Sequence, residues 1–187
     1  MIHLFEGEKV RLRSLELTDL DAMMEHWNDL DIRHNIGSAI PDSRQDREDF
    51  IKNSWKLRSE GKAYIFAIER KDTNEFLGHA SIYIQRNRAR SADLGIMIYS
   101  KENWDKGYGT DAMNVILDFG FNYQNLHRIE LSVYPNNKRA IYVYKKLSFK
   151  EVGRRRESRF MDGKYQDEII MDILQRDWRK MNDRGIH

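Results

Sequence analysis

Three neighbouring segments, KAYIFAIER (62–70), FLGHASIYIQ (76–85) and SADLGIMIY (91–99), are rich in β-branched and aromatic residues, and only the polar links KDTNE and RNRAR separate them. Such stretches bounded by polar residues read as strands. A parallel neighbour needs a crossover of about a dozen residues or more, so links this short force an antiparallel meander. The rest of the chain must then supply further strands for that sheet or helices to cover its faces.

Upstream, VRLRSL (10–15) alternates like a half-buried strand, and Thr18 with Asp21 resembles a capping pair before the helical run LDAMMEHWNDL. Residues 31–43 (DIRHNIGSAIPDS) read as a loop that could border a pocket, followed by a second helix over 43–60 ending at Gly61. Downstream, Ala112, Val115, Ile116 and Phe119 recur at helical spacing within 107–121, and HRIELSVY (127–134) alternates strictly. NKRAIYVYKKL (137–147) places Ala140, Ile141, Tyr144 and Leu147 on one helical stripe, and the tail to YQDEIIMDIL reads as a hairpin turning at Asp162-Gly163. The order βα αβββ αβ αββ predicts an α/β fold: a mixed, mostly antiparallel sheet of about seven strands flanked by about four helices. No repeat or linker-like stretch divides the chain, so residues 1–187 read as one domain.

With no cysteine, disulfides, thiolate metal sites and a cysteine nucleophile are excluded, and a reducing compartment, the cytoplasm, is expected. Lys plus Arg (32) against Asp plus Glu (30) leaves +2, which supplies no general field for nucleic acid or an anionic membrane. MIHLFEGEKVRLRSL lacks the pattern of a secretory signal, and no later apolar run is long enough to span a bilayer. His3, His26, His34, His79, His127 and His187 show no metal-ligand spacing, so no metal is expected. Arg154-Arg155-Arg156 falls in an alternating pattern and reads as a solvated strand face.

Gly107 and Gly109 stand at the start of the 107–121 helix. A helix start carries unpaired N–H groups and partial positive charge, and glycine lets an anion come close, so Lys106-Gly107-Tyr108-Gly109-Thr110 is a candidate diphosphate cradle. A plain tight turn explains the glycines equally well. Gly107, Gly109 and Ala112 also match G-x-G-x-x-A, the dinucleotide fingerprint, but SKENWDK separates the preceding strand from the first glycine, which that fingerprint does not allow. No Gly-Lys-Ser/Thr follows, which excludes a Walker loop.

Read together, GIMIYSKENWDKGYGTDA and NKRAIYVYKKLSF resemble the GCN5-related N-acetyltransferase family, in the branch of ribosomal-protein N-terminal and spermidine acetyltransferases. The resemblance runs from VRLRSLELTDLDAM to YQDEIIMDIL. It implies that Lys106, Gly107, Tyr108, Gly109 and Thr110 hold the diphosphate of coenzyme A, with acetyl-CoA as co-substrate. It implies further that Met97 and Ile98 offer main-chain groups to the pantetheine arm and thioester, that Asn137 contacts the cofactor, and that Tyr144 protonates the departing thiolate. Trp104 stands where the family has Gln or Arg, and Ser148 where it has glycine. Some relatives use a glutamate five residues before the Asn motif as a base; that position here is Ser132, and the resemblance offers Asp93, at the head of the strand where many relatives carry an acid, as the alternative base, acting directly or through water. The implied acceptor is an amine-bearing small molecule or a protein N-terminus. The single acid in NIGSAIPDS, where the spermidine branch carries a Glu-Glu pair, disfavours a polyamine. A dinucleotide-dependent oxidoreductase and a non-catalytic acyl-CoA-binding module remain alternatives, and the assembly state, homo-oligomer included, stays open.

Overall fold

The computed structural model describes residues 4–38, 40–85 and 89–183; most of the RNRAR link, His3 and His187 lie outside them. The chain opens with β1 (Val10–Ser14), then the helices α1 (Leu20–Trp27), α2 (Leu30–Ile36) and α3 (Arg44–Ser59). The meander follows as β2 (Ala63–Arg70), β3 (Phe76–Gln85) and β4 (Ser91–Ile98). Next come α4 (Tyr108–Asp118), β5 (Arg128–Val133) and α5 (Lys138–Lys146), and the chain closes with the hairpin β6 (Lys150–Met161) and β7 (Lys164–Leu174) and with α6 (Gln175–Asp183).

All seven strands share one sheet in the order β1-β2-β3-β4-β5-β7-β6. Every pairing is antiparallel except β4 with β5, as the short links and the long passage through α4 require. Alternation along β2 divides the core between the two faces. Ile65 and Ala67 meet Leu20, Met23 and Trp27 of α1 and Ile51 of α3, while Tyr64, Phe66 and Ile68 face the side packed by Ala112, Met113 and Ile116 of α4.

Two helices depart from the expected four. The segment read as a loop from residue 31 contains α2, because Asp29 ends the first helical run by capping a new one: its carboxylate accepts from the Asp31 N–H at 2.9 Å. Gly37, at φ 86°, closes it. α6 lies past the last predicted strand, where Trp178 and Met181, three residues apart, are buried and Trp178 packs on Phe121. The capping pair before α1 also differs, since the Asp19 carboxylate, held by Arg13, accepts from the Glu16 N–H at 2.9 Å.

Candidate active site

β4 and β5 run together only briefly. Ser91, Ala92 and Asp93 pair with Arg128, Ile129 and Glu130, after which β4 continues against β3 alone to Ile98 and β5 against β7 alone to Val133. The strands part into a cleft, and a cavity of about 610 Å³ occupies it. Leu94–Ile98 form one wall, Ser132, Val133 and α5 the other, the start of α4 the floor, and Ile32, Asn35 and Ile36 of α2 the far end.

The ladder phase decides which backbone groups face this cleft. Tyr99 donates its N–H to Leu77 O at 2.9 Å, and Met97 pairs with His79 two residues earlier in the same phase. Antiparallel alternation therefore turns the Met97 main chain toward β3, and those of Ile96 and Ile98 toward the cleft. Of the two residues expected to offer main-chain groups, Ile98 is placed to do so and Met97 is not.

Gly107 sits at φ 86°, a left-handed conformation that costs any residue with a Cβ about 1–2 kcal/mol, and it turns the chain into α4. Unlike α2, α3 and α5, this helix has no side-chain cap on its first turn. The acid in that turn, Asp111, is committed elsewhere, accepting the N–H groups of Glu8, Lys9 and Val10 at 2.7–3.0 Å. No side chain therefore caps the N–H groups at the head of α4, whose residues Gly107–Thr110 line the cavity with Asp105 of the preceding loop. Gly109 is open enough that an added Cβ would meet only Ile98, at 3.8 Å. Gly107, Tyr108, Gly109 and Thr110 line the cavity; Lys106 stands outside the lining, its carbonyl accepting from the Lys9 ammonium at 2.9 Å.

Trp104, in place of the family's Gln or Arg, folds back to donate its indole N–H to Ile98 O at 2.8 Å, and the Arg139 guanidinium stacks 3.4 Å from its ring centre. Asn137 caps α5, accepting the Ala140 N–H at 3.1 Å, and also borders the cavity. Tyr144 is buried against Phe149 with its ring in the cavity wall. Burial pushes its hydroxyl up to about 12, the Arg139 charge opposing in part, so the phenol is protonated at neutral pH.

Asp93 is not brought to this site. It is exposed, lies outside the cavity lining, and accepts both oxygens' bonds from the Gln85 amide at 2.9 and 3.0 Å. Two carboxylates do border the cavity, Asp105 in the loop before Gly107 and Glu168 on β7, and nothing in the sequence marks out the second. Arg155 pairs with Glu168 at 2.7 Å; burial alone would raise its pKa, but the nearby Ser132 hydroxyl, Arg155 and Arg159 outweigh that and lower it. His79 also lines the cavity, its Nδ1 2.7 Å from the Tyr99 hydroxyl. Burial, helped by the Arg47 charge, pushes the imidazole down to about 4 and keeps it neutral. Among the described residues, no cluster of His, Cys, Asp or Glu could hold a metal ion.

A family model described as an acetyltransferase (GNAT) domain matches residues 9–150, from β1 to the start of β6, and so takes in the whole cleft except β7. The chain belongs to the GNAT acetyltransferase family. The GNAT chain is 30% identical over 172 residues to N-acetyltransferase p20 of Bacillus licheniformis, itself uncharacterised, covering 91% of this chain and 96% of that one. It is 40% identical over 86 residues to the spermidine N(1)-acetyltransferase of Vibrio cholerae, about half of each chain. The crystal structure of spermidine N-acetyltransferase from Vibrio cholerae in complex with CoA and spermine superposes with a TM-score of 0.81 at 28% identity, covering 92% of this chain and 99% of that one. As a GNAT protein it is an acyltransferase, and the oxidoreductase alternative is not favoured. Among the described residues no helix is long and apolar enough to cross a membrane.

Proposed function

We propose that this acyltransferase takes its acetyl group from acetyl-CoA bound between β4 and β5 and moves it directly to a primary amine. The observation that carries the reading is the parting of these strands over a helix start whose N–H groups have no side-chain cap. The residues fit the group: Gly107, Tyr108, Gly109 and Thr110 form a cradle for a diphosphate, and the Leu94–Ile98 edge has main-chain donors and acceptors that no strand of this sheet uses. Acetyl-CoA would supply the activated thioester.

In this reading the Ile98 N–H faces the thioester carbonyl and stabilises charge on its oxygen. Asn137 orients the cofactor arm from α5. Tyr144, protonated because it is buried, donates to sulfur as the carbon–sulfur bond breaks. The acceptor nitrogen forms the amide bond and gives up a proton, so the products are the acetamide and the free thiol. No acyl-enzyme is needed, and the chain has no cysteine to form one.

A peptide α-amine or a small amine metabolite is the acceptor class. A spermidine-type polycation is less well served, because Asp42, the acid of NIGSAIPDS, is taken up by Arg47 at 2.8 Å, Arg33 at 3.0 Å and the Trp27 indole at 2.9 Å. The test is thiol release from acetyl-CoA across a panel of peptide and small-molecule amines, with mass detection of one added acetyl group. Amine-dependent release with a matching acetylated product supports the proposal; tight CoA binding with no release on any amine supports the non-catalytic alternative instead.

A further inference from the structure

Glu168 stands just past the last β5–β7 pair, Val133 with Ile169, and lines the cavity together with Ile32, Asn35 and Ile36 of α2. The other charged side chains in the cavity lining, Asp105, Arg139 and Lys146, belong to α5 or to the loop before Gly107. Glu168 is therefore the acid among the described lining residues that lies away from the glycine turn. Its side chain is 16% exposed, open enough to be reached and covered enough for its charge to be felt. Arg155 occupies one of the roughly four acceptor directions of a carboxylate. Arg155 itself is 59% exposed on the edge strand β6, and ion pairs with so exposed a partner are weakly held.

We propose that Glu168 is the acceptor-docking residue of this acyltransferase, a carboxylate that receives a primary ammonium group and holds its nitrogen on the Tyr144 side of the cleft, where the ammonium gives its surplus proton to solvent before the neutral amine attacks. The proposal rests on the reading of the cleft as an N-acetyltransferase site. Ser132 occupies the position where some relatives carry a glutamate, and here Glu168 lines the same cavity from the neighbouring strand, two residues from the Ser132 partner Ile170. Ile32 and Ile36 of α2, in the same lining, suit the hydrocarbon part of such an amine, and Asn35 its polar part. Arg155 competes with the substrate cation for the same oxygens, so the two residues have opposite effects on binding.

The experiment is steady-state thiol release from acetyl-CoA with tyramine, putrescine and alanyl-glycinamide, run on the wild type, Glu168→Gln, Glu168→Asp and Arg155→Gln, with CoA affinity measured by calorimetry and thermal midpoints recorded. Glu168→Gln raises the amine KM about 10- to 100-fold, the loss of a hydrogen bond to a charged group, while kcat, CoA affinity and midpoint stay close to wild type. Glu168→Asp recovers part of the loss, and Arg155→Gln lowers the amine KM. An unchanged KM in Glu168→Gln, or a KM that rises in Arg155→Gln as well, overturns the proposal. So does a wild type that binds CoA but turns over none of the three amines. A wild type that fails to bind CoA removes the cleft assignment itself, and this proposal with it.

Discussion

Ser148 closes α5 in a left-handed conformation, φ 66°, with the Phe149 N–H reaching back to Tyr144 O at 3.0 Å. This is the helix ending that glycine forms without strain, and glycine is the residue the family places there. The left-handed position costs serine about 1–2 kcal/mol, and glycine's extra unfolded-state freedom returns about half of that. Ser148→Gly is expected to stabilise the protein by about 0.5–1 kcal/mol, measured by denaturant unfolding. Four residues earlier, Tyr144→Phe is expected to lower kcat by roughly 10²–10⁴-fold while leaving CoA affinity near wild type, checked by thiol-release kinetics and calorimetry. Because burial raises the Tyr144 hydroxyl to about 12, it keeps the donating form across the working range. The rise of kcat/KM with pH therefore belongs to the acceptor amine, near 8 for a peptide amine and near 10 for an alkylamine, and a descending limb below about pH 10 contradicts this assignment. At this scale the spacing of NKRAIYVYKKL gave only a packing stripe; it was the family resemblance of NKRAIYVYKKLSF that pointed to Asn137 and Tyr144, both of which line the cavity. It could not separate Met97 from Ile98, because ladder phase depends on which residue pairs with Leu77 across the sheet. Nor could it find Glu168, which comes to the cavity only because β7 pairs with β5, distant in the chain.

Among the elements, α4 carries the site, and its position depends on a bond pattern invisible to local spacing. Asp111 ties the start of the chain to the first turn of α4 through the N–H groups of Glu8, Lys9 and Val10, and Gly7 passes so close that a Cβ there would collide with the same carboxylate. Asp111→Asn loses acceptor capacity against three donors and is expected to destabilise by about 1–3 kcal/mol in denaturant titrations, with CoA affinity changed only a few-fold because the cradle donors are untouched. The meander, the crossover through α4 and the closing hairpin were legible because short links and strict alternation leave few solutions. The short helix α2 was not, since a single aspartate cap at Asp29 divides one apparent helical run into two. α6 was legible in principle from Trp178 and Met181, but nine residues with two apolar anchors give a weak periodic signal beside a strong strand.

For the molecule as a whole, the decisive feature is that one sheet is continuous at one end of the β4–β5 pair and open at the other. Pattern reading predicts seven strands of mixed direction, but it cannot predict that two of them separate after three paired residues. That separation leaves a strand edge unpaired beside an uncapped helix start, and it places Tyr144 and Glu168 around the same space. The Arg154–Arg156 run lies on the exposed edge strand β6, where Arg154 pairs with Glu151 and Arg155 with the cavity acid Glu168. The most direct test is a crystal structure of the protein grown with coenzyme A. The account predicts the diphosphate within hydrogen-bond distance of the N–H groups at 107–110, and the pantetheine arm paired along Leu94–Ile98 with its sulfur beside Tyr144. Coenzyme A bound elsewhere, with the glycine turn empty and the β4 edge bare, contradicts it.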